Sequence, residues 1–323
     1  YYTARSLGNT IDDCVFNGNQ APSGGALMIS SDLKITNCSF IKNNATEGGA
    51  IRSGYSYSIS DSYFFENNAV DGGAIYHSIY STLKMVNSVI LNNTASGLGA
   101  AVFGGSSTIL NDNWWGSNDN PNNVSNLVYG VQNITNWFVA TVDNNISSVF
   151  VGTNNTISIV FKNSNGTDVT YIIPNRVLEI VSASASVNSS TVNFNNNTAT
   201  FTAVTNSEGN IICTVDNQKF LIDIVKMESL INASVNGRVY GNNVSIGVAV
   251  TGVDKSLASG TVNIIVNGKS YTVNLINGTA SLNLGILNVN TYSFTVNYSG
   301  NDMYKNSSAT SSFTIVKADT NVV

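Results

Sequence analysis

The chain has 323 residues, of which 10% are charged, with a formal net charge of −5. That balance excludes a nucleic-acid-binding face, which requires clustered Lys and Arg, and no run of eighteen apolar residues offers a membrane-spanning helix. Asn, Ser and Thr supply the polarity that charges give ordinary domains, and three cysteines are too few and odd in number for a disulfide framework, so Cys14, Cys38 and Cys213 are expected as buried free thiols.

From the N-terminus, one phrase recurs at a fixed interval. F-x-x-N begins at Phe16, Phe40 and Phe64, and each copy precedes a Gly-Gly-Ala step at Gly24, Gly48 and Gly72, an interval of 24 residues both times. A weaker fourth copy follows at Ile90 and Gly99. A period of this length marks a solenoid, in which a single coil cannot bury its own core. Short alternating runs such as Leu33-Lys34-Ile35 and Cys38-Ser39-Phe40 have strand periodicity. Three of them fit in each coil, which predicts a right-handed parallel β-helix with three short strands per turn.

Stacking the copies converts positions into ladders. Phe16, Phe40 and Phe64 form an inward column, and Asn19, Asn43, Asn67 and Asn93 form a polar one whose amides can bond along the stack. Asp13, Asn37, Asp61 and Asn87 fall at a corner, where a left-handed backbone is needed. A fifth coil begins with Ile109 and Asn111, places Trp114 in the Phe column, and then stops at Asn113-Trp114-Trp115-Gly116 and Pro121. The indoles are expected to cap the open end, and nearest-neighbour contacts predict a solenoid that folds by itself.

Beyond Trp137 the period disappears. Alternating runs at Thr156 to Phe161, Thr198 to Ala203, Thr261 to Val266, Tyr271 to Leu275 and Tyr292 to Tyr298 are separated by Asn- and Gly-rich turns. Ile224-Val225-Lys226 and Ile315-Val316-Lys317 end two segments 91 residues apart (315 − 224), the length of one immunoglobulin-like sandwich. The expected organisation is a β-helix with a Trp-rich cap over 1–137, sandwiches over 138–226 and 227–317, and the start of a further repeat over 318–323.

No catalytic, cofactor-binding or metal-ligating set is expected. Glu47 and Asp71 share a rung with Arg52 nearby, the one arrangement that resembles the paired carboxylates of a polysaccharide lyase or hydrolase. The sole histidine, His77, is expected in a solvated loop. Polar aromatics outside the core pattern, Tyr55, Tyr57, Tyr63, Tyr76 and Tyr80, are the candidate ligand-binding residues, because rings stack on sugars or partner side chains while their hydroxyls stay wet. About fifteen N-x-S/T sequons offer N-glycosylation sites. Lys162, Lys219, Lys226, Lys255, Lys269 and Lys317 are candidates for intramolecular Lys–Asn cross-links.

The F-x-x-N and Gly-Gly-Ala-Ile pair, over residues 9–103, resembles the repeat of chlamydial polymorphic outer-membrane proteins. The Trp-Trp-Gly-Ser closure ending at Pro121, the loop Tyr298-Ser299-Gly300-Asn301-Asp302-Met303-Tyr304 and the junction Val316-Lys317-Ala318-Asp319-Thr320 are more similar to adhesin-like surface proteins of methanogenic archaea, with bacterial-Ig-like stalk repeats. This resemblance implies an extracellular, non-enzymatic cell-surface protein with a β-helix displayed on an Ig-like stalk. Its implied partner is a protein or glycan on a host or neighbouring cell, with membrane or wall attachment through parts outside this segment. The alternatives are a polysaccharide-active β-helix enzyme and a structural spacer whose binding head lies upstream.

Overall fold

The computed structural model describes residues 8–318, so the further repeat expected from Asp319 onward lies outside the described residues. The chain is all-β: a β-solenoid is followed by two Ig-like sandwiches. Three parallel sheets form the solenoid faces. The first face stacks Asn9–Asp12, Leu33–Thr36, Tyr57–Ser60, Leu83–Val86 and Thr108–Ile109. The second stacks Val15–Asn17, Ser39–Ile41, Tyr63–Phe65 and Val89–Leu91, and the third stacks Leu27–Ile29, Ile51–Ser53, Ile75–His77, Val102–Phe103 and Val128–Tyr129.

Period-2 alternation sends one set of side chains inward on every face. Phe16, Phe40, Phe64 and Ile90 are in register, and the Phe rings stack at 4.9 and 4.7 Å. Two glycines per coil are needed for two different reasons. Gly24, Gly48 and Gly72 turn with φ of 60–63°. A Cβ on Gly25, Gly49 or Gly73 would lie 2.0–2.2 Å from a carbonyl oxygen of the next coil. At the opposite corner Asp13, Asn37, Asp61, Asn87 and Asp112 all adopt φ of 48–59°, the left-handed region that short polar side chains tolerate.

The fifth coil differs from the sequence expectation in two ways. It is completed, because Val128–Tyr129 pairs in parallel with Val102–Phe103 although no Gly-Gly-Ala step precedes it. Its register is also shifted by one residue. Lys84 pairs with Ile109 and Val89 bridges to Trp114, so Leu110, Asp112 and Trp115 continue the columns expected for Ile109, Asn111 and Trp114. Trp115 therefore enters the solenoid core with Phe64 and Ile90, while Trp114 points outward.

That outward direction leads into the first sandwich. On the second face the outward column runs Val15, Ser39, Tyr63, Val89, Trp114. Val15 is 70% exposed, but Val89, Leu91 and Trp114 are buried in one cluster with Phe138, Ile159, Phe161 and Phe201. The backbone ladder crosses the boundary as well: Trp114 N–H donates to Ser88 O, and Phe138 N–H donates to Asn113 O, both at 2.9 Å. Phe138 opens the strand Phe138–Val142, which pairs antiparallel with Asn154–Asn163. The indole N–H of Trp114 donates to Asp216 at 2.7 Å, and the Arg176 guanidinium pairs with Asp216 at 3.1 Å while lying 4.5 Å from the Tyr63 ring centre.

The first sandwich packs a four-stranded sheet on a five-stranded one, and the second packs three strands on four. A parallel segment places Val149 beside Ile224 of the last strand in the first sandwich, and an isolated parallel bridge places Val239 beside Val316, just past the last strand, in the second. Among the described residues all three cysteines are free, and burial pushes the Cys213 thiol up to about 12. None of the six candidate lysines is buried, and none hydrogen-bonds an asparagine side chain among the described residues.

Phe40→Ala is expected to cost about 3–5 kcal/mol through the cavity it leaves, read from the thermal or denaturant transition. Truncation after Tyr129 is expected to aggregate, contrary to the self-sufficient solenoid read from the repeats. It uncovers Val89, Leu91 and Trp114, whose burial contributes about 1.5–3 kcal/mol each. A monomeric truncated solenoid in sedimentation would overturn this.

Candidate functional site

The third face carries the most distinctive exposed surface of the solenoid. In Ile75–His77 the first and last residues point inward, so Tyr76 points out. Register places Met28 and Arg52 below it and Phe103 and Tyr129 above it. Coils about 4.8 Å apart bring flat side chains at one register position into contact. Tyr76 and Phe103 stack at 4.6 Å and 3°, and Phe103 and Tyr129 at 5.1 Å and 28°. Arg52 continues the column downward, its guanidinium 5.9 Å from the Tyr76 ring centre and its Nε donating to Glu47 Oε2 at 3.3 Å.

This stacking decides what the column offers a partner. The inner ring faces cover one another, so solvent meets ring edges, two phenol hydroxyls and the Tyr129 ring, which is 47% exposed on the last strand of its sheet. Burial, and then the Glu47 carboxylate, push the Tyr76 phenol upward, while Arg52 opposes them. The hydroxyl therefore stays protonated at neutral pH, able to donate and to accept.

The five tyrosines singled out from sequence separate. Tyr55 and Tyr80 sit in the turns that follow Ile51–Ser53 and Ile75–His77, at the edge of this face, and are 51% and 91% exposed. Tyr76 lies in the column. Tyr63 is half-covered by the first sandwich and carries Arg176 on its ring. Tyr57 is a correction: it is buried beside Ile59 on the inward side of Tyr57–Ser60, its hydroxyl has no partner, and burial raises its pKa. Phe103 was legible, since it follows Val102 as Tyr76 follows Ile75. Tyr129 was not, because its coil lacks the glycine phrase.

The paired carboxylates are held by the scaffold. Ser23, Glu47 and Asp71 bridge through their backbones. Glu47 accepts from Ser23 Oγ and Arg52, and Asp71 Oδ1 accepts the Leu98 N–H at 2.7 Å. Among the described residues no group of three or more His, Cys, Asp or Glu is placed to hold a metal ion.

His77 is a second correction. It is an inward, buried residue of a strand, with Nε2 at 2.9 Å from Ser81 O, so that nitrogen carries the proton and Nδ1 faces no partner. Burial lowers its pKa from 6.5, opposed by the Ser81 carbonyl. A depressed histidine favours the fold above the unfolded value, and that contribution is lost as pH falls from 6.5 toward the folded pKa. The solenoid should therefore lose stability between pH 7 and 5 by at most about 1.4 kcal/mol per unit from this group. The melting temperature of His77→Gln should fall less over that interval, and parallel curves would overturn the assignment.

The FdeC adhesin of Escherichia coli is 13% identical, with 56% of this chain and 64% of that one covered at a TM-score of 0.22. The surface-layer protein SbsC, domains 4–9, gives 15%, 56% and 31% at 0.21. The Yersinia pseudotuberculosis adhesin InvE gives 12%, 55% and 58% at 0.24. The chain spans less than two thirds of the first two structures. No curated protein matches the chain. Residues 231–316, most of the second sandwich, match the bacterial Ig-like domain (group 3).

Proposed function

We propose that the chain is a non-enzymatic, extracellular attachment module of a cell surface, with its contact face on the third side of the solenoid and its sandwiches as a stalk. The carrying observation is the Arg52–Tyr76–Phe103–Tyr129 column, which sets cation, ring edges and hydroxyls in one partly exposed line. Edge-presented aromatics with wet hydroxyls suit a glycan or a protein surface laid along the column. The open ring of Tyr129 can take one sugar or side chain face to face. The match of residues 231–316 to a bacterial Ig-like domain supports the stalk. Glu47 and Asp71, tied to Arg52 and Leu98, support a structural use of these carboxylates.

Attachment is tested with the full chain on arrays of cell-surface glycans and on whole cells. The triple variant Tyr76→Ser, Phe103→Ser, Tyr129→Ser is expected to lose at least about tenfold in binding, the worth of one aromatic contact pair. Tyr55→Ser and Tyr80→Ser, beside the column, are expected to lose less. Equal binding by the triple variant moves the contact off this face, and silence from a correctly folded full chain leaves it a spacer.

A further inference from the structure

The asparagine column ends in an unfinished rung. In each lower rung the side-chain oxygen of the coil above accepts two hydrogens, the backbone N–H and one Nδ2–H of the asparagine below. The distances are 3.0 and 2.9 Å from Asn19 to Asn43, the same from Asn43 to Asn67, and 2.9 and 2.9 Å from Asn67 to Asn93. Asn93 is 9% exposed and gives one Nδ2–H to Phe64 O at 3.0 Å. Counting from Trp115, the fifth-coil residue due above it is Asn118. The chain leaves the coil at Gly116, with φ of 91°, and the Asn118 amide bonds Ala140 twice at 2.8 Å instead.

A cavity of about 370 Å³ opens at this rung, walled by Ile90, Ala101 and Leu127 and lined also by Asn93, Trp115 and Asp119. Its volume lies in the range of small-ligand sites, roughly 300–1,000 Å³. Trp115 is 7% exposed, and its indole N–H is buried without a hydrogen-bond partner. Two donors, Asn93 N–H and its second Nδ2–H, lack the oxygen that the next rung supplies elsewhere, and Asn93 lines the cavity.

We propose that this cavity binds the acetamido group of an N-acetylated sugar. The amide carbonyl replaces the missing asparagine oxygen and accepts from Asn93, as Oδ1 does in every rung below. The methyl group meets the apolar wall of Ile90, Ala101 and Leu127. The Trp115 ring lines the cavity and gives the sugar an apolar surface. Asp119 accepts from a ring hydroxyl and, with the net charge of −5, disfavours an anion. This site lies apart from the aromatic column and stands or falls independently of it.

The test is a titration of the full ¹⁵N-labelled chain with N-acetylglucosamine, glucose and N-methylacetamide, followed at the Asn93 amides and the tryptophan indoles. N-acetylglucosamine is expected to give saturable shifts with Kd near about 1 mM, while glucose at equal concentration gives none. Asp119→Ala removes the hydroxyl acceptor from an exposed lining position and should weaken binding about three- to tenfold, the worth of one hydrogen bond. Val124→Trp, a substitution at another lining position of the cavity, should abolish binding with an unchanged melting transition. Absence of saturable shifts overturns the proposal. So does equally tight binding of N-methylacetamide, which would show that any amide suffices, or unchanged affinity in both variants, which would put the sugar elsewhere.

Discussion

In-register stacking of parallel coils is the constraint on which the rest of the solenoid depends. A column tolerates only what can sit about 4.8 Å from a copy of itself. Flat rings, asparagine amides, bare glycine backbone and aliphatic side chains such as Ile35, Ile59 and Met85 all meet that condition. The Phe16–Phe40–Phe64 stack and the Asn19–Asn43–Asn67–Asn93 chain are two solutions to one problem, one apolar and one hydrogen-bonded. The same rule acts on outward residues, so aromatics at consecutive rungs of one column become a stack, and their inner faces are then unavailable to a ligand. Tyr76, Phe103 and Tyr129 illustrate the consequence: the column offers edges along its length and an open ring only at its end.

The second constraint is how the stack ends. The adjacent indoles Trp114 and Trp115 are on opposite sides of one strand position, so one closes the solenoid core and the other enters the sandwich core. With Phe138 continuing the backbone ladder from Asn113, the two folds share hydrogen bonds as well as apolar surface. The sandwich is therefore a lateral and terminal cap on the late coils, and a force on it is delivered to the solenoid through backbone hydrogen bonds. Arg176 and Asp216 reinforce the same boundary from the sandwich side. The departure at Gly116 that makes room for this junction also leaves the Asn93 rung open, so capping and cavity have one origin.

Much of the architecture is readable in the sequence. A 24-residue period with repeated F-x-x-N and Gly-Gly-Ala, then alternating runs with Asn-Gly turns, specifies strands, coil length and the change of architecture, because each is set by local periodicity and turn chemistry. The Asn column, the left-handed corner and the free thiols follow from the same reasoning. What escaped was settled by packing between segments distant in sequence. The one-residue slip that exchanges Trp114 for Trp115 has no local signal, since both choices obey strand alternation until the sandwich selects one. Tyr57 and His77 read as polar surface residues, and became core because their strands face inward. Phe103 could be read from its rung, but Tyr129 joined the column through a coil that carries no repeat phrase, and the cavity beneath Asn118 exists because Ala140, 22 residues on, claims that amide.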